Sequence, residues 1–290
     1  METFLTLLFS GLSTAALYYL LAAGLSLSFG LLRVLNFAHG AVFLWGAYTG
    51  MLVYQLTHSL VLAALAGTLL GGGLGWILER TLLRPAYGNM VVQVLTTLGA
   101  FYVLSEAIKI PFGPDQVGVG VPAFLRGAWV LGGIAVVKVN VMLVTVGVLV
   151  WGLGWLWLTR TRLGLIVRAG IDNPEMVMAL GIPIRRVFTA VFVAGAAMAA
   201  LGGVLAGQYF GALSPDMGLQ SMLNAFIVVV VGGLGSYNGT AVGALLVGLI
   251  GAFASYYLPS QIVGAVNVFF MALVLIFRPE GLFGEKEAGT

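Results

Sequence analysis

Residues 187–207 read VFTAVFVAGAAMAALGGVLAG, an unbroken uncharged run in which Gly195, Ala199, Gly203 and Gly207 recur at every fourth position. Spanning a hydrocarbon core takes about 20 apolar residues of helix, and this stretch meets that need. Small residues at four-residue spacing let helix backbones approach closely within a membrane. Gly67 and Gly71 repeat the spacing in another apolar run. Taken alone, such glycines indicate crowded helix packing and say nothing of activity.

Working outward, further segments suited to spanning lie at residues 4–29, 41–57, 60–78, 90–108, 130–158, 221–235, 241–258 and 262–277. The fold expected is all-α: a polytopic membrane bundle of about eight to ten transmembrane helices, in a single transmembrane domain over residues 1–290. None of these runs alternates with the strict period of two that a transmembrane barrel requires. Composition agrees, since 60% of the 290 residues are hydrophobic and only 8% are charged, against roughly 25% charged in a soluble domain. Mean hydropathy is +1.07. Glycine supplies 42 residues, about twice its usual share, without a collagen-like period.

The chain has no cysteine, which excludes disulfides, thiol catalysis and cysteine-held metal. Its two histidines, His39 and His58, stand apart from any carboxylate cluster, so neither a catalytic constellation nor a metal site is expected. The net charge of +3 is not gathered on a soluble face, so no nucleic acid partner is expected. Met1-Glu2-Thr3 lacks the positive region of a signal peptide, and the apolar run that follows is too long for one. It is expected to be a retained first span in contact with lipid.

Lys and Arg in short loops favour the cytoplasmic side. Five of the thirteen basic residues, Arg160, Arg162, Arg168, Arg185 and Arg186, fall within residues 159–186, so this loop is expected in the cytoplasm. Counting spans places Arg80, Arg84 and Arg278 on the same side, and Lys109, Arg126 and Lys138 on the other. The expected N-terminus is therefore outside and the C-terminal tail, 278–290, cytoplasmic. Two short glycine-bearing interruptions, 31–40 (LLRVLNFAHG) and 232–239 (GGLGSYNG), are expected as loops or re-entrant segments.

The basic loop contains Arg168-Ala-Gly-Ile-Asp172-Asn173-Pro-Glu175-Met-Val-Met-Ala179-Leu-Gly181. Asp172 or Asn173 suits a helix cap, Pro174 the first helical position, Glu175 the positive end of the dipole and Gly181 a left-handed stop. These residues specify a helix about 10 Å long, too short to span and bearing apolar knobs in a basic setting. It suits docking of a partner or an interfacial helix lying on lipid.

Four stretches together resemble the LivH-type permease family, the membrane subunits of ATP-binding-cassette importers for branched-chain and other hydrophobic amino acids. They are RAGIDNPEMVMALGI at 168–182, GLLRVLNFAHGAVFLWGAY at 30–48, VVVVGGLGSYNGTAVGALLVG at 228–248 and FRPEGLFG at 277–284. The resemblance implies a bacterial or archaeal plasma membrane location and a coupling helix, with Arg168, Asp172, Asn173, Glu175, Ala179 and Gly181 as the ATPase-coupling residues. It further implies a second related permease chain, two ATPase subunits carrying ATP and Mg, and a periplasmic substrate-binding protein. A phosphate-binding loop needs glycine before its lysine, whereas Lys109, Lys138 and Lys286 follow Ile108, Val137 and Glu285. ATP hydrolysis is accordingly expected on partner chains, with no cofactor and no enzyme activity in this one.

Polar groups between spans are tolerated where they line a cavity or pair internally. Asn36, Phe37, His39 and Gly40 are therefore candidates for the substrate path, with His39 equally suited to a satisfied packing role. Gly233, Gly235 and Ser236 form the second candidate, because broken helices expose N–H and C=O groups to a zwitterion. Residues 111–126 and 208–220 are expected outside, with Asp115, Arg126 and Asp216 as docking charges. Glu106 lies in an apolar span with Lys109 three residues on, which reads as a local pair. Other readings are a related permease for urea or short amides, an ion-coupled secondary transporter, and an intramembrane enzyme.

Overall fold

In the computed structural model, residues 2–32, 36–131 and 134–284 are described. Eleven α-helices dominate them: α1 (Glu2–Leu32), α2 (Ala38–Thr57), α3 (Leu60–Leu78), α4 (Met90–Phe112), α5 (Lys138–Arg160), α6 (Arg162–Asp172), α7 (Pro174–Ala179), α8 (Ile184–Phe210), α9 (Met217–Gly232), α10 (Tyr237–Tyr257) and α11 (Ser260–Phe277). Six of these are long and apolar enough to cross a membrane. Every expected apolar segment contains a helix, so this is an all-α polytopic membrane chain.

The segment expected at 130–158 needs correction. Its start is part of a hairpin in which β2 (Ala128–Leu131) pairs antiparallel with β3 (Ile134–Val137), and helix begins only at Lys138. The physical reason lies in the sequence: Gly132-Gly133 divides two short apolar runs, AWVL at 128–131 and IAVV at 134–137, and a Gly-Gly pair between such runs is a hairpin signal. Of the interruption at 31–40, residues 33–35 lie outside the described residues, as do 285–290 of the tail.

The bundle is organised around α8. Lipid tails are as apolar as leucine, so helices in a membrane associate through close packing rather than through a hydrophobic gain. A Cβ added to Gly24 of α1 would lie 2.5 Å from the Gly195 carbonyl oxygen, one on Gly46 of α2 would meet the Ala200 backbone, and one on Gly75 of α3 would meet Ala196. Gly203 in turn faces the backbone of Phe43 and Ala47. Gly195, Ala199, Gly203 and Gly207 therefore do not form one contact stripe. Gly195 serves α1, Gly203 serves α2, and Gly207 makes only ordinary contacts with Val119 and Leu213. A helix turns about 100° per residue, so a four-residue repeat drifts about 40° at each step and reaches a new neighbour.

Ridge-to-groove contact of the same kind joins α1 to α10, where Gly248 abuts Ala15 and Gly11 abuts Leu249. At one end of the bundle, here termed the basic end, lie the C-terminal ends of α1, α3 and α5, helices α6 and α7, and the start of α8. At the opposite end β1 (Val117–Gly118) pairs with β4 (Ala212–Leu213), joining the loops at 111–126 and 208–220.

These contacts predict a sharp contrast between two glycines. Gly24→Val should overpack the α1–α8 contact at a cost of about 1–3 kcal/mol and lower the melting temperature in detergent. Gly73→Ala has nothing within 4 Å of its new Cβ, and should leave that temperature unchanged or raise it, through about 0.5–1 kcal/mol of helix preference.

Candidate functional site

At the basic end, Thr161 caps α6 by accepting a hydrogen bond from the Gly164 N–H at 3.0 Å. α6 buries Gly164, Val167 and Gly170 and leaves Arg168 exposed. It was not expected from sequence, although small and apolar residues at 164, 167, 170 and 171 were the available signal of an amphipathic turn. Of the two candidate caps for α7, Asn173 is the one used: its Oδ1 accepts from the Met176 N–H at 2.9 Å. Pro174 begins the helix, and Gly181, at φ +78°, adopts the left-handed conformation that ends it.

Only Val177 of α7 is buried, while Met176, Met178 and Leu180 are exposed. Asp172, Asn173, Glu175, Ala179 and Gly181 are exposed too. Five of the six expected coupling residues thus lie on or next to one short helix whose outer face mixes charges with three large apolar side chains, while Arg168 lies on α6. Ile182 N–H bonds back to the Val177 carbonyl at 3.3 Å, and Arg186 N–H to the Pro183 carbonyl at 2.9 Å. The first bond closes the end of α7 and the second opens α8, so that a short turn at 180–183 links the two helices.

At the opposite end, a cavity of about 420 Å³ opens between α1, α2, α8 and α9. Its apolar wall includes Leu17, Leu21, Phe43 and Ala206, and its polar groups include Gln116, Ser214, Gln220, Ser221 and Asn224. No lining residue carries a formal charge at neutral pH. The paired loops contribute Gln116 and Ser214, so the β1–β4 pairing helps to build the cavity mouth. Sequence reading missed this site. The polar trio at 220, 221 and 224, at the start of an otherwise apolar helix, was its signal.

The expected substrate-path residues fall elsewhere. His39 is 1% exposed, and its Nε2 lies 3.0 Å from the Leu21 carbonyl oxygen, so its packing alternative describes what is seen. It stands one turn from Phe43 and is bonded to the backbone of Leu21, both of which line the cavity, but it does not line it. Asn36 and Gly40 are buried and Phe37 half-buried, and none of the three lines the cavity. A Cβ on Gly40 would lie 2.6 Å from the Gly218 carbonyl oxygen, so this residue brings α2 against α9.

Gly233 and Gly235, at φ +105° and +83°, make the turn between α9 and α10 at the basic end, and Ser236 caps α10 through the Gly239 N–H at 3.0 Å. The tail returns to this turn: Leu282 and Phe283 N–H groups bond the Val231 and Gly232 carbonyls at 2.9 and 3.0 Å. The stretches 228–248 and 277–284 thereby form one structure. Glu106 and Lys109 pair at 2.6 Å, with Glu106 largely exposed, so this carboxylate faces away from the interior.

A polytopic bundle with a polar-lined cavity at one end and a capped, exposed helix at the other defines a solute permease. The chain belongs to the family described as branched-chain amino acid transport system, permease component, matched over residues 7–278. It is 29% identical to the high-affinity branched-chain amino acid transport system permease protein LivH of Salmonella typhimurium, over 98% of this chain and 96% of the relative. Identity to the corresponding permease protein BraD of Pseudomonas aeruginosa is 30%, over 98% and 97%. Among solved structures it is similar in fold to PsaBC from Streptococcus pneumoniae in complex with Fab, with a TM-score of 0.52 at 12% identity over 94% of this chain and 92% of that one. The chain is thus a permease component of branched-chain amino acid importers of the ATP-binding-cassette class, a class that works with ATPase and binding-protein partners. Neither an ion-coupled transporter nor a urea permease gains support from these relatives.

The cap assignment makes a local prediction. Asn173→Ala frees the Met176 N–H, and a loss of about 1 kcal/mol should speed hydrogen exchange at that amide about fivefold, with α8 unaffected.

Proposed function

We propose that this chain pairs with a second related permease and that two ATPase subunits, which hold ATP and Mg, dock on α7. A periplasmic binding protein delivers the amino acid at the opposite end. The observation that carries this reading is α8, a helix of 27 residues that starts beside α7 and ends at the cavity, where Ala206 and Phe210 line the wall. Displacement of the exposed α7 face is passed along α8 as a rigid rod, and alternating access follows from tilting that rod against α1 and α2.

The cavity suits a net-neutral zwitterion with an apolar side chain. Amide N–H groups of Gln116, Gln220 and Asn224 donate to a carboxylate, and their carbonyl oxygens accept from an ammonium. Leu17, Leu21 and Phe43 take the side chain. A cationic or anionic solute would have no counter-charge there, which is costly in a site removed from water.

Orientation follows from the positive-inside tendency. Arg80, Arg84, Arg160, Arg162, Arg168, Arg185, Arg186 and Arg278 belong to the basic end, against Lys109, Arg126 and Lys138 at the other. The basic end is cytoplasmic in a bacterial or archaeal plasma membrane, with the start of α1 outside and the tail inside. This chain carries no ATPase activity of its own.

Gly181→Asp or Glu175→Lys should abolish ATP-dependent uptake while membrane insertion stays normal. Unimpaired uptake in both variants would refute docking at α7. Asn224→Leu should raise the KM for leucine about tenfold, the loss of a hydrogen bond to a charged group. Competition by leucine, alanine and urea in the same assay ranks the solutes, with urea expected to compete least.

A further inference from the structure

Glu79 is a carboxylate that neither the cavity nor the α7 face employs. Its side chain is fully buried, at the first position of a π-helical turn, Glu79–Leu83, that continues α3. Single π turns concentrate at functional positions because the extra residue re-aims the side chains around it. The two carboxylate oxygens are divided between different elements. Oε1 accepts a hydrogen bond from the Tyr87 hydroxyl at 2.7 Å, and Oε2 lies 3.0 Å from Thr189 Oγ1, whose single proton it shares with the Arg185 carbonyl, also at 3.0 Å. Among the described residues no Lys or Arg nitrogen lies within 4.0 Å of it.

Both donors occupy telling places. Thr189 lies in the second turn of α8, just after the link from α7. Tyr87 lies in the turn that leads into α4, with its ring edge-on to Phe188 at 6.0 Å. Burial, and next the bond to Glu79, holds the Tyr87 phenol above its ordinary pKa, so it stays a donor. A buried carboxylate without a cation is costly, and an apolar side chain of similar volume would fill the same space more cheaply. What the carboxylate adds is two directional bonds, which a shift of one element relative to another breaks and remakes.

We propose that Glu79 is a positioning residue for transport, fastening the basic ends of α3 and α4 to the first turns of α8. Displacement of α7 then moves three helices as one body, and the α3 glycines at 67, 71 and 75, seated on Val204, Ala200 and Ala196, keep that body in register up to the cavity. Without the tether, α8 moves alone and hydrolysis is spent without opening the path. This inference rests on the importer reading above.

The test uses the complete importer, with both permease chains, the ATPase subunits and the binding protein, reconstituted in proteoliposomes and supplied with leucine. The readout is leucine taken up per ATP hydrolysed. In Glu79→Gln, whose amide nitrogen cannot accept a hydroxyl proton, and in Thr189→Val, that ratio should fall about fivefold or more while ATP hydrolysis persists. Thr189→Ser, which restores the hydroxyl, should return the ratio to that of the wild type. Thr189→Val preserves side-chain volume and carries the test if Glu79→Gln fails to assemble. A merely structural role would lower uptake and hydrolysis in proportion, and an unchanged ratio in a working complex overturns this inference alone. Absence of ATP-dependent uptake in the wild-type complex overturns the importer reading and this inference with it.

Discussion

Backbone contact between helices at α8 is the constraint on which the structure depends. In lipid, burying one apolar face in place of another yields little, so the helices that stay together are those whose backbones come closest. Gly24 against Gly195, Gly46 against Ala200, Gly203 against Phe43 and Ala47, and Gly75 against Ala196 seat α1, α2 and α3 on α8 from different sides. A side chain at Gly24, Gly46 or Gly203 would run into the backbone of the facing helix and force the two apart there. The abundance of glycine in this chain is in large part the consequence of building a bundle that way.

α8 is held on several sides, and its two ends belong to different features of the molecule. Its first residues carry Thr189 and follow α7; its last residues form part of the cavity wall. A helix of 27 residues extends about 40 Å, the thickness of a bilayer with its headgroups, so a single element connects both surfaces. The ends of the bundle are closed by short pairings. β1 with β4 joins two loops at the cavity mouth, and the tail satisfies carbonyl groups left over at the end of α9. Each pairing removes polar backbone from an apolar setting, where unpaired groups are costly.

Much of the fold was legible before the structure was known, and the reasons are particular. Apolar length picks out spans because the bilayer thickness is fixed, and nine of the helices arise inside the segments read that way. Asn173, Pro174 and Gly181 announced α7 because cap, first-turn proline and left-handed stop are requirements of a few adjacent residues. Where tertiary context decides, the reading failed: residues 130, 131 and 134–137 extend the apolar run of α5 but belong to the paired strands β2 and β3, and α6 was hidden because its polarity broke the apolar count. His39 attracted notice as a polar residue between spans, yet its partner is the Leu21 carbonyl, eighteen positions earlier. Glu79 went unnoticed because its donors lie eight and 110 positions away.

The sequence by itself determined the solvent of this protein, the segments that cross it, and the short capped helix set among arginines, since all of these are fixed by local composition and by spacing within a few turns. Only the tertiary structure decided which glycine meets which helix, how the loops after α4 and α8 combine to form the cavity mouth, and which buried polar groups find partners. Those outcomes depend on contacts between residues far apart in the chain, and on the rotational drift of a 3.6-residue helix, which sends a regular stripe of small residues to several different neighbours.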